Sequence, residues 1–245
     1  MPSYIIHYIC GKKLIENYRV TDKKQALFLI GNLIPDTSKI QTKKERYLIQ
    51  GEKNKTHFRD GMDKDKVMLP YPEKFKKKYD IHNSFYLGYY YHLYTDKYFL
   101  SEIFNNSLEF LTSDLRKTDS NKKSKYIRLK KNNKIILKEE FFSQSYLYHD
   151  YTIMNKLLLN YYGIQFDESE LRKYINLINS DIEEVDIINL ESIILDTLSY
   201  IKESQNIKED NLEVFDKNLI IRFINELNNK FVDENKQILK KVGFR

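Results

Sequence analysis

The run FYLGYYYHLYTD, residues 85–96, is an unbroken apolar and aromatic helical pattern that carries two polar residues, His92 and Asp96, at positions i and i+4. Residues four apart share one helix face, with Cβ atoms roughly 5–6 Å apart. Zinc–nitrogen and zinc–oxygen bonds are about 2 Å long, so an imidazole and a carboxylate at this spacing can bind one ion. Gly88, one turn earlier, lets another element or a substrate approach the helix backbone. The segment therefore predicts a central helix with a polar site on one face.

The same His–Asp pair has a simpler interpretation, a buried hydrogen bond that fixes helix packing. Polar groups inside an apolar helix are unfavourable unless a ligand or a hydrogen-bond network satisfies them. Four of the five histidines lie beside residues suited to metal binding; the five are His7, His57, His82, His92 and His149. We expect His82, at the start of the central helix, in a cap or in solvent. The histidines favour metal binding, but both interpretations stay open.

The composition indicates a globular, mainly α-helical protein. Of the 245 residues, 41% are hydrophobic and 14% aromatic, which is enough for a substantial core. Only 7 glycines and 4 prolines are present, which favours long helices and few tight turns. Because we find no repeat or linker, we expect one helical domain over residues 1–245, with a metal-site core in 1–163 and packing helices in 164–245.

The net charge of +6 favours anionic partners, among which nucleic acid, lipid headgroups and small phosphates all fit. The single cysteine, Cys10, excludes an internal disulfide framework. The N-terminus lacks the charged leader and apolar region of a secretory signal, and no stretch has the roughly 18 apolar residues of a membrane-spanning helix. We expect a cytoplasmic protein; the oligomeric state is left open.

Capping residues predict the elements before the central helix. Ser3 is placed to cap a first helix, in which His7 faces inward. A second helix is expected to give way at Gly31. Pro35 then fixes the chain direction just before Asp36, a carboxylate held at the end of an apolar helix.

Composition and helical spacing predict the remaining elements. We expect residues 38–66 to form a polar loop and the central helix to end near Leu111. A small β-hairpin is predicted across Asn132-Asn133, within residues 125–138. The lysines at 122–131 are typical of a solvated excursion or of a nucleic-acid contact. Later amphipathic helices, near residues 189–204 and 216–242, are assigned to packing or to a partner interface.

Four elements taken in order resemble the zinc-dependent phospholipase C family. They are FLIGNLIPD ending at Asp36, KTHFR around His57, the LGxxxHxxxD pattern ending at Asp96, and His7 near the start. The resemblance covers roughly the first hundred residues and implies the multi-helix fold of that family with clustered zinc ions. It implies that His57, His92, Asp36 and Asp96 hold one ion, that Asp36 bridges to a second, and that Asp96 with His7 holds a third.

The chain departs from the family pattern in two places. The family completes its cluster with a later His-x-x-x-Glu, whereas His149 is followed by Asp150 and has Ile153 at +4. Either Asp150 takes the carboxylate role or that ion is missing. Secreted members also use their processed amino terminus as a ligand, and Met1-Pro2 replaces that arrangement here.

The resemblance implies a zinc-dependent hydrolase in which a metal-bound hydroxide attacks a phosphoester. Zinc lowers the pKa of bound water to about 7, and paired ions can stabilise the attacking and leaving oxygens. Asp36 would bridge ions and orient the water, and Arg59 with Lys55 would neutralise substrate charge. A surface ion pair between Arg59 and Asp60 fits equally well. We expect two or more zinc ions, with manganese or iron as alternatives, and a lipid-headgroup, nucleotide or small phosphodiester substrate.

Two competing functions remain. One is an HD-type phosphohydrolase with His149-Asp150 as its central dyad, although the order of the other ligands fits this less well. The other is a non-catalytic helical scaffold that binds a protein or nucleic acid and retains one structural metal. The incomplete last ligand motif and the basic segment 122–131 favour that second alternative.

Overall fold

The computed structural model describes residues 2–38, 54–59, 69–120, 122–178, 181–185, 190–206 and 211–245. The chain is mainly helical with one small sheet, as the composition predicts. Its helices are α1 (Tyr4–Glu16), α2 (Asp22–Leu33), α3 (Pro72–Lys78), α4 (Ser84–Tyr98), α5 (Asn105–Ser107), α6 (Lys138–Phe141), α7 (Leu147–Tyr162), α8 (Glu168–Ile175), α9 (Leu190–Gln205) and α10 (Lys217–Val242). A 3-10 turn, Ile34–Ser38, follows α2, and a π-helical stretch, Phe99–Phe104, continues α4.

Capping residues set several helix ends, and Ser3 does so where the sequence predicts it. Ser3 accepts a hydrogen bond from the backbone N–H of Ile6 at the start of α1. Asp167 accepts one from Glu170 at the start of α8. Gly163 ends α7 with a φ of 63°, a left-handed conformation that favours glycine.

Helices α2 and α4 meet at two facing glycines. A Cβ at Gly31 would lie 2.0 Å from the carbonyl oxygen of Phe85, and a Cβ at Gly88 would lie 2.0 Å from that of Phe28. Only glycine permits this backbone approach, so the prediction for Gly88 is confirmed. The expectation that α2 gives way at Gly31 is wrong, because the helix continues to Leu33 and the glycine serves close packing. The crossing brings the last turn of α2 beside the polar face of α4.

The core is a buried apolar cluster that includes side chains from Tyr4 in α1 to Phe244 after α10. Phe231 of α10 packs edge-on against two tyrosines of the central helix, with ring centroids 4.7 Å from Tyr91 and 5.1 Å from Tyr94. Asn228 also accepts a hydrogen bond from the Tyr91 hydroxyl. The last helix therefore packs directly on α4. Among the helices that the structure describes, none is both long and apolar enough to cross a bilayer.

The sheet contains one strand more than predicted. Helical structure was expected to reach Leu111 but ends at Ser107, and β1 (Leu108–Leu111) pairs antiparallel with β2 (Tyr126–Leu129). Strand β2 in turn pairs with β3 (Ile135–Leu137), which confirms the predicted hairpin. The hairpin turns through Asn133, whose φ is 58°. Residues 108–111 form a strand because they pair with β2, although their local sequence continues the helical pattern. Helical spacing alone does not reveal this pairing.

Candidate metal centre

Five of the predicted metal-binding residues come together in the structure, and we call them the donor cluster: His7, Asp36, His57, His92 and Asp96. Each is at most 2% exposed. Helix α1 supplies the first, the 3-10 turn supplies Asp36, and α4 supplies the last two. The ligand atoms within each of two triads lie within 4.8 Å of one another; the triads are His7, Asp36, His92 and His57, His92, Asp96.

The Asp96 carboxylate lies at the centre of the donor cluster. One oxygen is 3.3 Å from Nε2 of His7, and the other is 3.2 Å from Nε2 of His57 and 3.9 Å from Nε2 of His92. Neither oxygen has a hydrogen-bond partner of good geometry among the described residues. Burial alone would raise the pKa of Asp96, but the contacts with His57 and His7 hold it well below its usual value. The site therefore contains a buried charged carboxylate that a cation would stabilise.

A backbone contact orients His92 as a ligand. Its Nδ1 lies 2.8 Å from the carbonyl oxygen of Asn32. Because a carbonyl only accepts, Nδ1 carries the proton and the lone pair of Nε2 faces the donor cluster. Burial lowers the pKa of His92 well below its usual value, so the imidazole is neutral. A neutral imidazole with its second nitrogen fixed by a carbonyl is the form that binds metal.

The other two imidazoles also fit a metal ion. Nε2 of His57 is 3.2 Å from Nε2 of His92, and its Nδ1 is 2.8 Å from the hydroxyl of Thr56. The His7 ring stacks on His92 with centroids 3.8 Å apart. Neither His7 nitrogen has a hydrogen-bond partner of good geometry in the described part of the chain, although the residue is fully buried. Unpartnered buried nitrogens beside unpartnered carboxylate oxygens match the mixed imidazole and carboxylate sites of zinc and related divalent ions.

Arg59 and Asp36 complete the site. Asp36 Oδ1 is 3.7 Å from Nε2 of His57, and Arg59 Nη2 is 3.9 Å from Asp96 Oδ2. Burial lowers the pKa of Arg59, while the charges of Asp96 and Asp36 oppose that effect. The preceding Phe58 has a φ of 56°, a conformation that costs a non-glycine residue of order 1 kcal/mol. The proposed partner Asp60 lies outside the described residues, and Lys55 is exposed to solvent.

The pair His149-Asp150 belongs to neither triad. Both Asp150 oxygens accept backbone hydrogen bonds, from Glu213 at 2.7 Å and from Val214 and Phe215 at 2.8 Å each. Burial raises the pKa of Asp150, although these three amides oppose the rise. In this arrangement Asp150 fixes the chain that leads into α10, whereas His149 is partly exposed.

Sequence reasoning missed Asn32, which connects the first three helices of the site. Its side-chain amide donates a 2.6 Å hydrogen bond to the backbone carbonyl oxygen of His7, while the backbone carbonyl oxygen of Asn32 accepts a hydrogen bond from Nδ1 of His92. Gly11 makes room for it, since a Cβ there would lie 2.8 Å from Nδ2 of Asn32. An asparagine inside the apolar run FLIGNLI is the signal that could have revealed this role.

No family model matches the chain, and neither the curated proteins nor the solved structures contain a match. The interpretation of the donor cluster therefore depends on its own geometry and on the four sequence elements given above.

Proposed function

We propose that this chain is a zinc-dependent hydrolase of phosphoesters, with the fold of the zinc-dependent phospholipase C family. The observation that carries the proposal is the convergence of three imidazoles and two carboxylates, with buried atoms of His7 and Asp96 that lack hydrogen-bond partners within the described ranges. Their positions coincide with the sequence elements that resemble the family. The guanidinium of Arg59, beside Asp96, adds a positively charged side chain to the donor cluster.

Each residue has a distinct task in this proposal. His57, His92, Asp36 and Asp96 would hold one ion, and His7 with Asp96 would hold another. When bound there, zinc supplies Lewis acidity that acidifies water and neutralises charge on a phosphoester oxygen. Asp36 is the carboxylate that orients the attacking water and accepts its proton. Arg59 binds an anionic oxygen of the substrate, a role that suits a guanidinium because it stays charged.

The test combines metal analysis with a substrate panel. Protein purified without added metal is analysed for bound ions and assayed with chromogenic phosphate mono- and diesters. We expect two or more ions per chain and hydrolysis that a chelator abolishes. His92→Ala should lose both metal and activity. His82→Ala is the matched control, because His82 is an exposed histidine that contacts Asp80 at 2.6 Å, outside the donor cluster.

One result would replace this function with the non-catalytic scaffold. A single ion per chain, retained at full occupancy with no hydrolysis of any ester, would identify a structural metal site. Loss of metal in His149→Ala but not in His92→Ala would instead favour the HD-type arrangement.

A further inference from the structure

The sheet region concentrates the positive charge of the chain. Between Arg116 and Lys138 the sequence contains 10 lysines and arginines and one acidic residue, Asp119, which gives +9. Because the whole chain carries +6, all the other residues together carry −3. Arg116 pairs with Asp114, and both Arg128 and Lys117 lie beside Glu109, so the remaining excess consists of the other lysines. The protein therefore has one strongly basic region on an otherwise slightly acidic chain.

The same region exposes apolar side chains. In strand β3, Ile135 is 39% and Leu137 is 46% exposed. Directly opposite them in β2 stand Arg128 and Tyr126, and residues directly opposite in an antiparallel pair share one face. Ile135 and Leu137 are two of the nine large hydrophobic residues that are exposed in the described ranges.

The outer face of the sheet can be defined from this register. It contains Tyr126, Arg128, Ile135 and Leu137, and β1 adds the buried Leu111 and Glu109, which pairs with Arg128. Exposed lysines precede β2 and occupy the hairpin turn. The opposite face carries Ile127 and Ile136, which are buried in the core. The sheet therefore has one face in the core and a second that combines aliphatic side chains with nearby basic residues.

We propose that the outer face of the sheet docks on the surface of an anionic lipid bilayer. Apolar side chains that enter the headgroup boundary, combined with lysines attracted to anionic lipids, are the two components of peripheral membrane binding. Nucleic acid would use the lysines but would leave Ile135 and Leu137 without apolar partners, since it contacts proteins through phosphates and stacked bases. Lysines can also serve to protect an edge strand from association, but exposed aliphatic residues on that strand have the opposite effect.

Vesicle co-sedimentation tests the proposal on the full chain. The protein is mixed with vesicles of phosphatidylcholine alone or of phosphatidylcholine with phosphatidylserine, at low and at physiological salt. We expect binding only to the anionic vesicles, and weaker binding as salt increases. Replacing Lys123 and Lys125 by glutamine should weaken binding about fivefold for each charge that lies near the surface.

Apolar substitutions separate membrane docking from simple charge attraction. The double variant Ile135→Ser/Leu137→Ser should lose most of the binding at physiological salt. The control Leu177→Ser/Leu195→Ser removes two side chains that are each 53% exposed outside the sheet, and it should bind as the parent chain does. Circular dichroism establishes that each variant is folded.

Three outcomes would overturn the proposal: equal binding to neutral vesicles, no binding to either, or unchanged binding of the Ile135→Ser/Leu137→Ser variant. Tighter binding to single-stranded RNA that depends on Lys123 and Lys125 but not on Leu137 would identify a nucleic-acid surface instead. The assay has no hydrolysis readout, so its failure leaves the proposed function of the metal centre untouched.

Discussion

Replacing Gly88 by alanine tests the helix crossing on which the donor cluster depends. The new Cβ would lie 2.0 Å from the carbonyl oxygen of Phe28 and 2.9 Å from the backbone nitrogen of Asn32. Ordinary contacts begin at 3.4 Å, so α2 and α4 would have to separate by about 1.4 Å. Both opposing atoms belong to the backbone, which has no rotamer change available to relieve the contact.

The expected magnitude follows from two opposing effects. Overpacking a well-packed core costs about 1–3 kcal/mol, and a backbone contact belongs at the upper end of that range. Alanine inside a helix is better than glycine by about 1 kcal/mol. The net result for Gly88→Ala is a loss of about 2 kcal/mol in the free energy of unfolding, or a decrease of about 4–8 °C in Tm. Because Asn32 orients His92, metal affinity should fall as well.

Thermal and urea denaturation, with and without zinc, measure both effects. Gly31→Ala should behave like Gly88→Ala, since its Cβ meets the Phe85 carbonyl oxygen at the same 2.0 Å. Gly163→Ala is the control, because nothing lies within 4 Å of its Cβ and only its φ of 63° opposes the change. A Gly88→Ala protein that is as stable as the parent chain would refute the close backbone approach of α2 and α4 at this position.

Three further predictions concern the surroundings of the site. Asn32→Ala removes the hydrogen bond to the His7 carbonyl, and we expect zinc affinity to fall about 10–100-fold in a chelator competition assay, with a stability loss of about 1–3 kcal/mol. Burial keeps His92 neutral in the folded chain, whereas the unfolded chain takes up that proton near pH 6.5. The stability of the metal-free protein should therefore fall below about pH 6.5, by up to roughly 1.4 kcal/mol per pH unit, and His92→Gln should flatten this slope in urea titrations. Asp150→Asn should cost about 2–3 kcal/mol by disturbing three backbone hydrogen bonds, while the zinc content per folded chain stays unchanged.

Each of these predictions has a distinct contrary outcome. Unchanged zinc affinity in Asn32→Ala would mean that the backbone carbonyl of residue 32 positions His92 without help from the side chain. A flat pH profile between pH 5 and 7 in the parent chain would show that His92 takes up a proton in the folded chain as readily as in the unfolded one. Metal loss in Asp150→Asn with normal stability would return Asp150 to the role of a ligand.

Sequence reasoning anticipated the donor cluster because each member is a polar residue in apolar surroundings. His92 and Asp96 share a helix face by spacing alone, and His7 lies in an apolar run that had to face inward. Their convergence with Asp36 and His57 needed the family resemblance, since no local pattern relates residues that are distant along the chain.

What sequence reasoning missed depends on non-local contacts. In the sequence, Gly31 resembles a helix terminator. In the structure, it lies inside α2 and permits the close approach of the Phe85 backbone. The residues of β1 continue a helical sequence pattern, but they form a strand because they pair with β2. Asp150 suits a metal site by residue type, but its oxygens are engaged by amides more than sixty residues away.

The members of the donor cluster come from four stretches of chain that begin with α1 and end with α4. An ion that binds all of them binds the native chain and not the unfolded one, and stabilises it by about 2.7 kcal/mol when free metal is a hundred times the dissociation constant. Zinc supply in the surrounding medium would then govern how long each molecule survives proteolysis. Starvation for that ion would lower the abundance of the protein, and with it the hydrolysis that we propose.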